Sequence, residues 1–257
     1  MPAVQLGTVL ITGATGGIGG ALALAYAAPG TTLILHGRNA ERLEQVAEQC
    51  RQVGADVVLK RFDLSDTLRL QQWLLDVDAR HSLDLVIANA GLNTNMGADN
   101  AGEQWSDIDA LLKVNVTAVM ATLHTVLPAM RARRAGQIAI ISSLAAWRGL
   151  PETPSYSASK AAVKAYGEAM RDAVAADGVK INVVMPGYVH SQMAYDMPGP
   201  KPFMWSAEKA ARVIKRGLAR NSARISFPFP LNFGCWLLAG IHPAVSGWIL
   251  RRLNYGH

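Results

Sequence analysis

Residues Val9–Tyr26 read VLITGATGGIGGALALAY. Val9–Thr12 is a short apolar run that suits a strand. From Ile18 the stretch is rich in Ala and Leu, which are strong helix formers. Gly13, Gly17 and Gly19 lie at the change. In a doubly wound α/β fold, a glycine turn placed there lets backbone approach a pyrophosphate, and the helix N-terminus faces its negative charge. A glycine cluster alone also fits a tight turn without a ligand. Its position after a first strand and before a helix favours dinucleotide binding.

The chain on either side repeats the alternation. Apolar, β-rich runs occur at TTLILHG (31–37), DVVLKRFD (56–63), LDLVIANAG (83–91), GQIAIISS (136–143) and VKINVVMPG (179–187). Helical patterns fit Ile18–Ala28, Ala40–Val53, Ser65–Ala79, Glu103–Arg131, Ser155–Ala176 and Ala207–Ala219, the last with Ser206 as its N-cap. Strands alternating with helices predict a parallel sheet covered by helices on both faces, a Rossmann-type α/β fold. With 257 residues and no linker, one domain over 1–257 is expected. Residues 191–205, rich in Met, Pro and Gly, read as a loop long enough to serve as a substrate lid.

Composition narrows the classes. Apolar residues are 50% and charged residues 17% of the chain, which excludes disorder. The net charge is +6, and from Lys201 onward there are nine Lys/Arg against one acid, Glu208. Cys50 and Cys235 form neither a metal-ligand spacing nor a disulfide framework, so no metal and a reducing compartment are expected. No basic n-region precedes the first strand, and the expected location is cytoplasmic. No basic motif interleaved with aromatics suggests nucleic acid.

The second strand run ends LILHGRN, with Gly37 and Arg38 where NAD-binding folds usually place an acid for the ribose 2′-hydroxyl. An arginine suits a 2′-phosphate, so NADP(H) is the expected cofactor. On this reading Arg38→Leu with Gly37→Asp should shift preference toward NAD. Asp63 is placed either to accept from the adenine amino group or to cap the following helix.

The segment IAIISSLAAWRGLPETPSYSASKAAVKAY (138–166) holds Tyr156 and Lys160 at i and i+4, on one helix face. Ser142 and Ser143 end a strand, where open α/β sheets bind ligands. TGATGGIG, NAG (89–91), KVNV around Asn115, ISS, YSASK and PGYVHSQM occur in that order. Together they resemble the short-chain dehydrogenase/reductase family in its single-domain branch, over about Val9–Ser191, and the resemblance implies that RISFP (224–228) is the last strand of a sheet of about seven. The resemblance implies a catalytic tetrad of Asn115, Ser143, Tyr156 and Lys160, with Ser143 chosen by its spacing from Tyr156. It implies cofactor contacts from Gly13, Thr15, Gly17, Ile18 and Gly19, and from Asp63, Asn89, Ala90 and Gly91. Tyr156, Lys160, Pro186, Gly187, Val189 and Ser191 complete the set. Such an enzyme transfers hydride between nicotinamide and a carbonyl or secondary alcohol. Tyr156 is the general acid/base, its pKa lowered by Lys160, and Asn115 holds a proton-relaying water. Family members are commonly homodimers or homotetramers. A cofactor-binding regulator without turnover is the alternative, and an epimerase or dehydratase of the extended branch fits less well, since the glycines are spaced TGxxxGxG.

Leu92, Met96, Leu144, Trp147, Tyr188, Met193, Met197, Phe203 and Trp205 suggest an apolar pocket and a hydrophobic or lipid-like substrate. Residues 229–257 form an apolar extension, and no Asp, Glu, Lys or Arg occurs between Ile225 and Leu250. Prolines 228, 230 and 243 leave no run long enough to span a bilayer. The second helical piece, with Val245, Trp248 and Ile249 before Arg251 and Arg252, fits an interfacial helix. Lys209, Arg212, Lys215, Arg216, Arg220 and Arg224 are candidates for headgroup contact. Peripheral association with the inner face of a membrane, cover of the substrate cleft, and an oligomer contact are the three expectations for this tail.

Overall fold

The apolar runs become strands β1 (Thr8–Thr12), β2 (Thr32–His36), β3 (Asp56–Lys60), β4 (Leu85–Ala88), β5 (Gly136–Ile141), β6 (Val179–Pro186) and β7 (Arg224–Phe227). They form one sheet in the order β3-β2-β1-β4-β5-β6-β7, parallel throughout. The computed structural model describes residues 7–97, 101–197 and 199–253. Pro198 of the lid segment and residues 254–257 of the extension lie outside them.

The helices are α1 (Gly17–Tyr26), α2 (Ala40–Gln52), α3 (Thr67–His81), α4 (Trp105–Leu112), α5 (Ala118–Ala132), α6 (Pro154–Ala173), α7 (Gln192–Asp196), α8 (Ala207–Ala219), α9 (Leu231–Gly240) and α10 (Pro243–Arg252). Period-two alternation within strands divides the core. Val9 and Ile11 pack with Leu22, Leu43 and Ile214 of α1, α2 and α8. Leu10 packs on the other face with Trp73, Leu123 and Val163 of α3, α5 and α6. Both faces being covered explains why the strands read as unbroken apolar runs.

The expected helix Glu103–Arg131 is interrupted. Lys113–Thr117 form a π-helical turn between α4 and α5, a local insertion common at functional sites. The whole run Trp105–Ala132 is apolar and long enough to cross a membrane by length and composition, yet half of its most apolar window is buried in this fold. The helix expected from Ser65 starts at Thr67, because Asp66 caps it by accepting from Arg69 N at 3.1 Å.

β1 pairs with both β2 and β4, so the chain reverses its winding there. The crevice beyond the C-terminal ends of β1 and β4 is where such sheets bind ligands. Thr12 Oγ1 ties those ends together, accepting from the N–H groups of Asn89 (3.0 Å) and Ala90 (3.1 Å).

Candidate active site

The glycine turn is set by contacts a side chain would block. Gly13 has φ +68°, and a Cβ on Gly19 would lie 2.2 Å from the Gly13 carbonyl oxygen. Asn89 Nδ2 donates to the carbonyls of Thr12 (2.9 Å) and Gly13 (3.0 Å), bracing the turn from β4. α1 starts behind Gly16 with no side-chain cap and no acid in its first turn. Its first N–H groups are therefore left for an anion in the crevice.

A cavity of about 470 Å³ runs from this turn across the strand ends to the C-terminal helices. Gly13, Thr15, Gly17, Ile18 and Gly19 line one end, with Arg38 and Asp63. Asn89, Ala90 and Gly91 follow, then Ser143, Tyr156 and Lys160, then Pro186, Gly187, Val189 and Ser191. Every expected cofactor contact thus falls on one surface. Arg42 also lines it and has no place in the motif reading. Asn39 caps α2 by accepting from Arg42 N at 2.9 Å, which sets Arg42 one turn beyond Arg38 at the same rim. An Arg four residues after a strand-end Arg, across an Asn cap, was the available signal. Gly37 is confined: a Cβ there would lie 2.6 Å from Thr15 Cγ2 and 3.2 Å from Leu43 Cδ1. Asp63 does not cap α3. It accepts from Ser65 N at 2.9 Å, and that bond holds its carboxyl below its usual pKa.

The two serines separate by role. Ser142 Oγ donates to the Lys160 carbonyl at 2.7 Å and stitches α6 to β5. Ser143 Oγ accepts from Ala145 N at 3.1 Å and lines the cavity with Tyr156. Lys160 Nζ donates to the Ile141 carbonyl at 2.9 Å and stands 5.7 Å from the Tyr156 ring centre. Tyr156 sits among Leu111, Ala145, Leu92, Leu150 and Met193. Burial raises its pKa, and neighbouring Ser143 opposes that rise. The simple expectation of a phenol lowered by its lysine is therefore modified: desolvation is the largest influence on Tyr156. Burial also pushes Lys160 down, to about 8. Both groups are shifted toward their neutral forms, as a low-dielectric site requires.

Asn115 lies on the π turn and is fully buried. Its Oδ1 accepts from Leu92 N at 2.7 Å, and its Nδ2 donates to Leu92 O (2.9 Å) and Ser159 Oγ (3.0 Å). Ser159 Oγ in turn donates to the Tyr156 carbonyl at 2.7 Å. The amide thus fixes the segment after β4 against the turn of α6 that carries Tyr156. Gly91 admits this approach, since a Cβ there would lie 3.2 Å from Asn115 Oδ1 and 3.3 Å from Lys160 Nζ.

The far end of the cavity is apolar. Leu92, Leu144, Tyr188, Met193 and Met197 line it as expected. Four expected residues are not on its wall. Trp147 is engaged by Lys164 and Arg224, at 4.7 and 4.4 Å from its ring centre. Trp205 stacks on Phe227 at 5.0 Å and closes the base of the 191–205 segment, with Trp205 N donating to Tyr188 O and His190 N to Trp205 O. Phe203 is exposed, and Met96 belongs to a turn tied to Glu152 and Gly102. In their place the wall includes Leu150, Arg148 and the tail residues Leu231, Cys235, Leu238, Leu250 and Leu253. Positions 231, 234, 235 and 238 follow helical spacing, which was the signal for an inward stripe on α9. Cleft cover is therefore one role of the tail. Its start comes close because Gly187 has no side chain: a Cβ there would lie 2.9 Å from Pro228 Cδ.

The family model for short chain dehydrogenases matches residues 7–199. The chain belongs to the short-chain dehydrogenase/reductase family. It is 34% identical to an uncharacterized oxidoreductase of Myxococcus xanthus over 226 residues, covering 87% of this chain and 88% of that protein. It is 37% identical to 11-beta-hydroxysteroid dehydrogenase 1A of Arabidopsis thaliana over 241 residues, covering 86% of this chain and 68% of that one. Its fold is similar to that of a short-chain dehydrogenase from Sphingobium yanoikuyae in complex with NADPH, with a TM-score of 0.81, 25% identity and 95% of each chain covered.

Proposed function

We propose that this oxidoreductase uses NADP(H) to interconvert a hydrophobic ketone and its secondary alcohol, with Tyr156 as general acid/base. The observation that carries the proposal is one continuous cavity joining the glycine turn and paired arginines to Ser143, Tyr156 and Lys160, and ending in an apolar chamber. Arg38 and Arg42 would hold the 2′-phosphate, the α1 N-terminus the diphosphate, and Lys160 the nicotinamide ribose. When bound, the dinucleotide supplies or accepts the hydride. In reduction, Ser143 holds the carbonyl oxygen and Tyr156 gives that oxygen its proton as the C=O bond opens. Lys160 then resupplies the phenolate, with Asn115 keeping the relay segment in register. The NADPH in the similar solved structure and the hydroxysteroid dehydrogenase among the relatives support the cofactor and the apolar substrate class. Assembly as a homodimer or homotetramer is part of the same reading. The test is NADPH oxidation with a panel of hydrophobic ketones and aldehydes. Turnover that vanishes in Tyr156→Phe supports the assignment, and turnover unaffected by it refutes the assignment.

A further inference from the structure

α9 and α10 are apolar on both sides. Leu231, Cys235 and Leu238 face the cavity, while Phe233, Trp236 and Leu237 are 54%, 51% and 49% exposed. On α10, Leu250 lines the cavity, while Val245 and Trp248 are about half exposed. A surface helix ordinarily turns polar residues outward, and a contiguous exposed apolar face marks an interaction site.

The surroundings indicate which partner. No acid follows Glu208. Arg251 and Arg252 close α10, with the Arg252 guanidinium 5.3 Å from the Trp248 ring centre. Arg148 Nη2 and Arg251 Nη1 both come within 4 Å of where a Cβ on Gly247 would sit, and neither arginine has an ion pair among the described residues. Trp and Leu rimmed by unpaired Arg suit the interface of an anionic bilayer. A second copy meeting this face about a two-fold axis would set the same arginines against each other. The basic residues of α8 and β7 contribute less than the sequence suggests: Arg224 pairs with Glu168, and Lys215 Nζ donates to the Ala25 carbonyl. Spanning is excluded for α9, whose 10 residues extend about 15 Å against a hydrocarbon core of about 30 Å.

The cavity reaches the surface at the end of α10. Leu253 lines it yet is 56% exposed, beside Arg251 and Arg252. α10 is held to the body by Arg148 Nε donating to the fully buried Ser246 Oγ at 2.9 Å. We infer that the α9–α10 pair lies on an anionic phospholipid surface and that the substrate enters the cavity past α10 directly from the lipid. The entry route rests on the proposed reduction of hydrophobic ketones; the lipid contact does not.

The full chain is sedimented with phosphatidylcholine vesicles, with and without phosphatidylglycerol. Binding is expected only with phosphatidylglycerol, weakened about thirtyfold in Arg251→Gln/Arg252→Gln and about tenfold or more in Trp236→Ser/Trp248→Ser. The tryptophan variant should lose kcat/KM for a vesicle-dissolved ketone while keeping it for a small water-soluble one. NADPH binding and melting temperature serve as folding controls. Three results overturn the inference: no sedimentation of the full chain, binding indifferent to both variants, or a solution dimer that the tryptophan variant disperses. Failure to oxidise NADPH with any ketone, with vesicle binding intact, overturns the proposed reaction and leaves the lipid contact standing.

Discussion

Replacing Arg38 by Leu tests the cofactor reading most directly. Arg38 is exposed at the rim of the cavity, so the 1.5–3 kcal/mol of about one hydrogen bond to a charged group is discounted for solvent screening. A loss of about 1–2 kcal/mol remains, or roughly fivefold to thirtyfold in NADPH affinity. NADH, lacking the phosphate, should be unaffected. Adding an acid for the ribose hydroxyl is obstructed, because the Cβ of Gly37→Asp would lie 2.6 Å from Thr15 Cγ2. Gly37→Asp with Arg38→Leu should therefore weaken both cofactors and leave NADH little better used. Thr15→Ser removes that methyl group, and the triple variant should be the one that gains with NADH. The assay is kcat/KM for NADPH and NADH at saturating ketone. An unchanged ratio in Arg38→Leu refutes the phosphate assignment, and a clean NAD switch without Thr15→Ser refutes the steric argument.

Tyr156→Phe should lower turnover by about a hundredfold or more while NADPH fluorescence titrations remain as in the parent. Lys160, pushed by burial to about 8 from its ordinary 10.5, penalises the fold while charged; as pH rises from 8 to 10.5 the native state sheds that proton before the unfolded chain does. The penalty, on the order of 3 kcal/mol, is released across that window, so denaturant titrations should show Lys160→Met relatively more stable at pH 7 than at pH 10. Gly19→Ala, whose Cβ would meet the Gly13 carbonyl oxygen at 2.2 Å, should abolish NADPH binding and lower the melting temperature, whereas Gly16→Ala, with 3.5 Å to the same atom, should be tolerated.

The sheet was readable because strands buried on both faces appear as unbroken apolar runs, and the glycine turn because its spacing reflects backbone contacts. Tyr156 and Lys160 were readable through helical spacing within an ordered set of motifs. The π turn at Lys113–Thr117 was not, since inserting one residue into a helix leaves no compositional mark. Trp147 and Trp205 looked like pocket residues because an aromatic in a loop does not reveal its partner; Arg224, Lys164 and Phe227 lie far away in sequence. Arg42 was hidden in the charged exterior of α2. The tail's composition posed membrane contact and cleft cover as alternatives, although the opposite faces of one apolar helix can serve both.

The family model ends at residue 199, while α9 and α10, which wall the apolar chamber, begin at Leu231. The proposed catalytic and cofactor residues therefore lie in one continuous stretch of chain, and part of the chamber's wall in another, joined after Phe227. Such a division makes the enzyme modular. On the proposed reaction, grafting a different tail onto this junction should alter the range of ketones accepted while leaving hydride transfer in the hands of the original residues.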